Sequence, residues 1–181
     1  MVQLTLPTLL LSLVAALPAI HALPAATAPA VDPSTPFYLV TTSDKHSASA
    51  SSSLKDVSAT SLFDPYYQPN YLLRLIGPGY GSLPTFTLTD GVLHSPSSGP
   101  HGLGSYVYNS TAVAAGTELQ FLAAAEGPGS LTLKKGVLAV GGETDGWTIC
   151  AGPLGQEVIE YKGTDLSCVP TYIQAVSTPP Y

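Results

Sequence analysis

Charge is what this chain most lacks. Of its 181 residues only 10 per cent are Asp, Glu, Lys or Arg, against about a quarter in typical soluble domains. The six Lys and Arg are scattered except for Lys134-Lys135, and the formal net charge is −6. A nucleic-acid surface needs clustered basic residues, so no nucleic-acid partner is expected. Beyond the N-terminus no apolar run approaches the roughly 18 residues of a membrane-spanning helix. The polar end STPPY offers no hydrophobic tail for a lipid anchor. Catalytic signatures are missing too: there is no GxSxG, HExxH, P-loop or EF-hand pattern. Cysteine is limited to two residues, and tryptophan to one.

Turn-forming residues, by contrast, are abundant. The 17 Gly and 17 Pro point to many turns rather than long helices. Hydrophobic residues make up 45 per cent, enough for the core of a single domain of this length.

The first 30 residues carry no charged side chain, and Leu9 to Leu17 is apolar but for Ser12. That run is too short to span a bilayer and fits the apolar region of a secretory signal peptide. Pro7, Pro18 and Pro24 argue against a buried helix. Cleavage after Ala22 is expected, with Ala26 and Ala28 as alternatives. Residues 1–22 are thus read as signal peptide, 23–36 as an extended Pro/Ala-rich lead, and 37–181 as one domain. In an oxidising compartment two cysteines have one intramolecular pairing, Cys150 with Cys168. Closing that loop of roughly 17 residues stabilises by about 3 kcal/mol on the chain-entropy model.

Strands are expected at 37–43, 70–76, 84–89, 92–95, 105–109, 117–123, 130–134, 137–141, 146–151, 157–162 and 169–176. Nearly all are bounded by Gly, Pro, Asp or Asn. The seven serines from Ser47 to Ser61 mark 46–61 as an exposed loop. The phrases TLTDGVLHS (87–95) and TLKKGVLAV (132–140) repeat one pattern. Asp90-Gly91 and Lys135-Gly136 are two-residue hairpin turns in this reading. They pair Leu88 with Leu93 and Phe86 with Ser95 in the first copy, and Leu133 with Leu138 and Leu131 with Val140 in the second. Thr132, Lys134 and Val137 then take the outer face. The last third reads as an up-down-up meander, with Cys150 and Cys168 on strands running the same way and Trp147 in the core beside the bridge. The fold class is all-β: a single antiparallel sandwich or barrel of about ten strands. A β-trefoil is the alternative, disfavoured because no third copy of the repeat exists.

Candidate functional residues are few. Glu157 and Glu160 lie three apart on a strand, so they face opposite ways and do not form a glycosidase pair. Glu143 and Asp145 belong to a turn. His46, His94 and His101 show no metal-ligand spacing and read as surface residues. The bend GPGYGS (77–82) has no helix after it to bind phosphate. Tyr66, Tyr67 and Tyr71 could contact carbohydrate, although covering the edge of the core explains them better. Asn109-Ser110-Thr111 is an N-glycosylation sequon, expected to be exposed where a strand gives way to a turn. No cofactor and no metal are expected.

The stretch GWTICAGPLGQEVIEYKGTDLSCVPTYIQAV, together with TPFYLVTT, resembles a family of small secreted proteins of filamentous fungi described as IgE-binding antigens or cell-wall proteins. The resemblance covers most of the mature chain, is strongest from Gly146 to Tyr181, and includes Cys150 and Cys168. It implies an extracellular or wall-associated β domain and carries over no catalytic residue. The leading expectation is therefore a secreted, non-enzymatic structural protein of the wall or surface, monomeric, with cell-wall polysaccharide as its partner. A lectin-like carbohydrate-binding module comes second and a secreted hydrolase third.

Overall fold

A computed structural model describes residues 31–43, 58–65, 70–80, 83–98, 104–124 and 127–181. The expected signal peptide, Tyr66, Tyr67, His46, His101 and most of the Ser-rich segment lie outside these residues.

The chain is all-β. Its strands are β1 (Tyr38–Thr42), β2 (Ser58–Phe63), β3 (Asn70–Ile76), β4 (Thr87–Thr89), β5 (Val92–Ser98), β6 (Ser105–Ser110), β7 (Thr117–Glu118), β8 (Gln120–Leu122), β9 (Leu131–Lys134), β10 (Val137–Val140), β11 (Trp147–Ala151), β12 (Glu157–Tyr161), β13 (Val169–Pro170) and β14 (Tyr172–Val176). One path of ten strands runs β4-β5-β6-β8-β3-β2-β1-β14-β10-β9. It is antiparallel throughout and nearly closes into a barrel. Strands β12, β11, β13 and β7 branch from it, with β12 joined to β3.

Both repeated phrases form hairpins in the expected register. Leu88 opposes Leu93, Leu133 opposes Leu138 and Leu131 opposes Val140. Asp90 and Lys135 both take positive φ, at 51° and 52°, followed by Gly91 and Gly136 at 78° and 81°, as a tight hairpin turn requires. Phe86 departs from expectation. It pairs with Phe37 rather than Ser95, exchanging two backbone hydrogen bonds of 2.9 and 2.8 Å, and so links β4 to the start of β1. The Asp90-Gly91 turn also docks on the approach to the second hairpin. The Gly129 amide donates to Asp90 O (2.9 Å) and the Leu131 amide to Gly91 O (3.1 Å). The two copies therefore meet each other near the closure of the barrel.

The interior is filled by large side chains. Phe37, Phe86, Tyr108, Phe121 and Trp147 are fully buried together with Leu39, Leu73, Leu93, Leu138 and Ile159. Trp147 Nε1 donates to Leu138 O at 2.9 Å, and its ring meets Tyr161 edge-on at 5.3 Å. The opposite face of the central strands is buried as well, at Val40, Ala59, Leu72, Val137, Ala139 and Gln174. Val137 thus lies on the outer face as expected, yet it is buried there.

Four expectations are corrected. Ser58–Phe63, whose first four residues were read as exposed loop, is the strand between β1 and β3. Its small residues allow close packing: Ala59 is 1% exposed, and Thr60 Oγ1 donates to Leu39 O at 2.9 Å. The lead is folded from Val31, which packs on the core, and Pro33 O accepts from the Leu88 amide at 2.8 Å. The expected strand 117–123 is two short strands, because the chain changes partner at Leu119 from β12 to β3 and β6. Finally, β13 runs antiparallel to β11, with Ile149 opposite Val169, rather than parallel to it as a simple meander would give.

Candidate functional site

The corrected direction of β13 decides the geometry of the disulfide. The Asp165 carboxylate accepts the Ser167 amide at 2.8 Å, and Ser167 Oγ accepts the Ala151 amide at 3.0 Å. This local turn reverses the chain and sets Cys168 across from Cys150. The two are bonded, with Cα atoms 4.1 Å apart. Trp147, three residues from Cys150, points into the core, while the bridge lies on the other face of β11. The Gly163 backbone packs on the sulfurs: a Cβ there would come within 2.7 Å of Cys150 Sγ and 2.8 Å of Cys168 Sγ. The Glu160 carboxylate approaches within 4.8 Å of both sulfurs. Because the sulfurs are bonded to each other, neither is a thiolate able to hold a metal. Burial, then Glu118 and Asp165, raises the Glu160 pKa above the usual carboxylate value. Glu160 shares its face with Val158, and Glu157 shares the other with Ile159 and Tyr161. Their separation onto two faces is as expected.

Asn109 lies at the end of β6, one residue before its last, and it is half-buried rather than exposed as expected. Its Nδ2 donates to Ala124 O at 2.8 Å, and its Oδ1 lies 2.6 Å from His94 Nδ1. His94 and Asn109 oppose each other across β5 and β6, so the cross-strand pair ties down the side-chain amide of the sequon asparagine. Ser110 is buried, its hydroxyl accepting the Leu93 amide at 2.9 Å. Of the tyrosine cluster, Tyr71 packs against the core and meets Tyr108 edge-on at 4.5 Å. It serves the core edge.

The most developed polar cluster on the surface involves a residue that the motifs did not single out. Arg74, the only arginine of the chain, sits on the outer face of β3, opposite Ser61 on β2 and Val158 on β12. Its guanidinium lies 4.8 Å from the Phe63 ring centroid and 5.3 Å from that of Tyr80. Nη1 donates to Gln156 Oε1 and Nη2 to Tyr80 Oη, both at 2.7 Å. Nε is buried without an acceptor. Among the described residues Arg74 has no carboxylate partner; the ion pair found there is Lys162–Glu143 at 3.1 Å. Gln156 is fixed by the tight loop after β11, where its carbonyl accepts the Gly152 amide at 2.7 Å. Tyr80 is 52% exposed. The arrangement is a strand-borne cation near two aromatic rings, one of them half-exposed, hydrogen-bonded to neutral acceptors carried by two loops. Its chemistry is that of a charged hydrogen-bond donor set beside an aromatic surface.

No motif marks Arg74, because Phe63 and Tyr80 lie on neighbouring segments to either side and Gln156 is 82 residues away. A lone arginine inside the apolar strand NYLLRLI was the available signal. The chain matches no known family model, no curated protein and no solved structure.

Proposed function

We propose that this chain is a secreted, non-enzymatic structural protein of the cell wall or cell surface. The observation that carries the reading is the intramolecular Cys150–Cys168 bridge in a chain that opens with an uncharged, apolar segment of signal-peptide type. A barrel filled by its own aromatic and aliphatic side chains is consistent with a scaffold. The resemblance of the C-terminal third to wall-associated fungal antigens points the same way. The test is expression in a secreting eukaryotic host, with medium, wall and cell fractions probed separately. Recovery in the medium or wall, with an Asn109-dependent mass shift removed by an N-glycosidase, supports the proposal. Retention inside the cell contradicts it.

Carbohydrate binding is the second reading, and the Arg74–Tyr80 cluster is the observation that favours it. An exposed tyrosine face with polar groups beside it suits a sugar ring, which has an apolar side and a hydroxyl rim. Pull-down on chitin, glucan and mannan tests it. Saturable retention of the folded protein supports it, and passage through all three columns counts against it.

A further inference from the structure

We propose that the Arg74 cluster binds a carboxylate-bearing sugar, so that the ligand is an acidic, uronate-type polysaccharide rather than a neutral one. The inference rests on the carbohydrate-binding reading and narrows it by charge.

The argument begins with an uncompensated cation. A guanidinium keeps its charge under all ordinary conditions, and partly buried arginines usually find a carboxylate. Arg74 has none among the described residues, although acidic side chains outnumber basic ones two to one in this chain. Its protein acceptors, the Gln156 amide oxygen and the Tyr80 hydroxyl, are neutral. They orient the group without discharging it. Of the five N–H donors of a guanidinium, one on Nη1 and one on Nη2 are engaged, and Nε has no acceptor. An oxyanion accepting from the second N–H of Nη1 or Nη2 supplies the missing counter-charge, while the buried Nε stays out of its reach.

The aromatic groups choose among anions. Phe63 and Tyr80 flank the guanidinium at 4.8 and 5.3 Å, and the half-exposed Tyr80 ring extends the site sideways from the charge. A small inorganic anion has nothing to place on that ring. A pyranose bearing a carboxylate does, since its C–H face can lie on Tyr80 while the carboxylate reaches Arg74. Arg74 and Phe63 are held on β3 and β2 and Gln156 on the short loop before β12, while Tyr80 stands on the turn that follows β3.

The test is calorimetric titration of the folded protein with oligogalacturonate, its methyl ester, a neutral chito-oligosaccharide and poly-glutamate. Wild type, Arg74→Gln, Arg74→Lys and Tyr80→Ala are compared, each checked for an unchanged fold by circular dichroism. The expected result is oligogalacturonate binding that weakens with salt and falls about 10- to 100-fold with Arg74→Gln or with esterification. Arg74→Lys should retain part of it, and Tyr80→Ala should weaken it several-fold. Equal binding of the methyl ester, or of poly-glutamate, would overturn the acidic-sugar assignment. Neutral oligosaccharide binding that depends on Tyr80 but not on Arg74 would overturn it while leaving the carbohydrate reading intact. Binding of no glycan at all would overturn both.

Discussion

Two single residues show how closely this barrel is specified. Gly129 stands where a Cβ would lie 2.0 Å from Gly91 O, so the docking of one hairpin turn on the other leaves room only for hydrogen. Gly129→Ala is expected to cost about 2 kcal/mol or more, because backbone rather than a movable side chain must give way. Chemical denaturation measures it, and a loss below about 0.5 kcal/mol would show that the turn docking is not a constraint. Tyr108 tests the interior. Its ring is fully buried, and burial first, then neighbouring Tyr71, pushes its pKa from 10.0 up to about 12. The folded state therefore favours the neutral phenol. That contribution is complete below pH 10 and is lost as pH rises from 10 towards 12. Wild-type stability should fall relative to Tyr108→Phe across that window, as read from urea midpoints at successive pH values. Parallel curves for the two proteins would contradict the assignment.

At the scale of elements, the disulfide joins two antiparallel strands at opposed positions and holds β13 against β11. The paired change Cys150→Ala/Cys168→Ala should cost about 2–5 kcal/mol, measured by thermal or denaturant unfolding. A cost near zero would mean that β-sheet pairing alone fixes this segment. Elements were legible in the sequence where side-chain alternation and turn chemistry agreed. Both hairpins had a glycine at the second turn position and apolar residues two apart before it, Phe86 and Leu88 in the first and Leu131 and Leu133 in the second, which fixed their register. Lys135 was a poorer turn residue than Asp90, yet the alternating leucines of the second copy still imposed positive φ on it. β2 was not legible. SATSLF has the composition of a loop, and only its place between β1 and β3, both also buried on their outer faces, makes small hydroxyl residues suitable there. The direction of β13 was hidden as well, since it depends on how Asp165 and Ser167 fold the chain back. The Cys150–Cys168 pairing needed only the cysteine count and survived that error.

Across the whole molecule, fold class followed from turn density and short apolar runs, whereas the surface site did not. Pairing of β3 with β2 and with the branching β12 brings Phe63, Arg74, Tyr80 and Gln156 together from three separate stretches, and no local pattern announces such a meeting. The N-terminal segment, the bridge and the proposed wall association form one account, in which the chain enters the secretory path and folds under oxidising conditions. The measurement that tests it most directly is intact-mass analysis, after thiol alkylation without reduction, of protein made in a secreting eukaryotic host. The account predicts protein outside the cell that begins near Leu23 and takes up no alkylating reagent at Cys150 or Cys168. Protein held inside the cell, still carrying Met1 and alkylated at both cysteines, would contradict it.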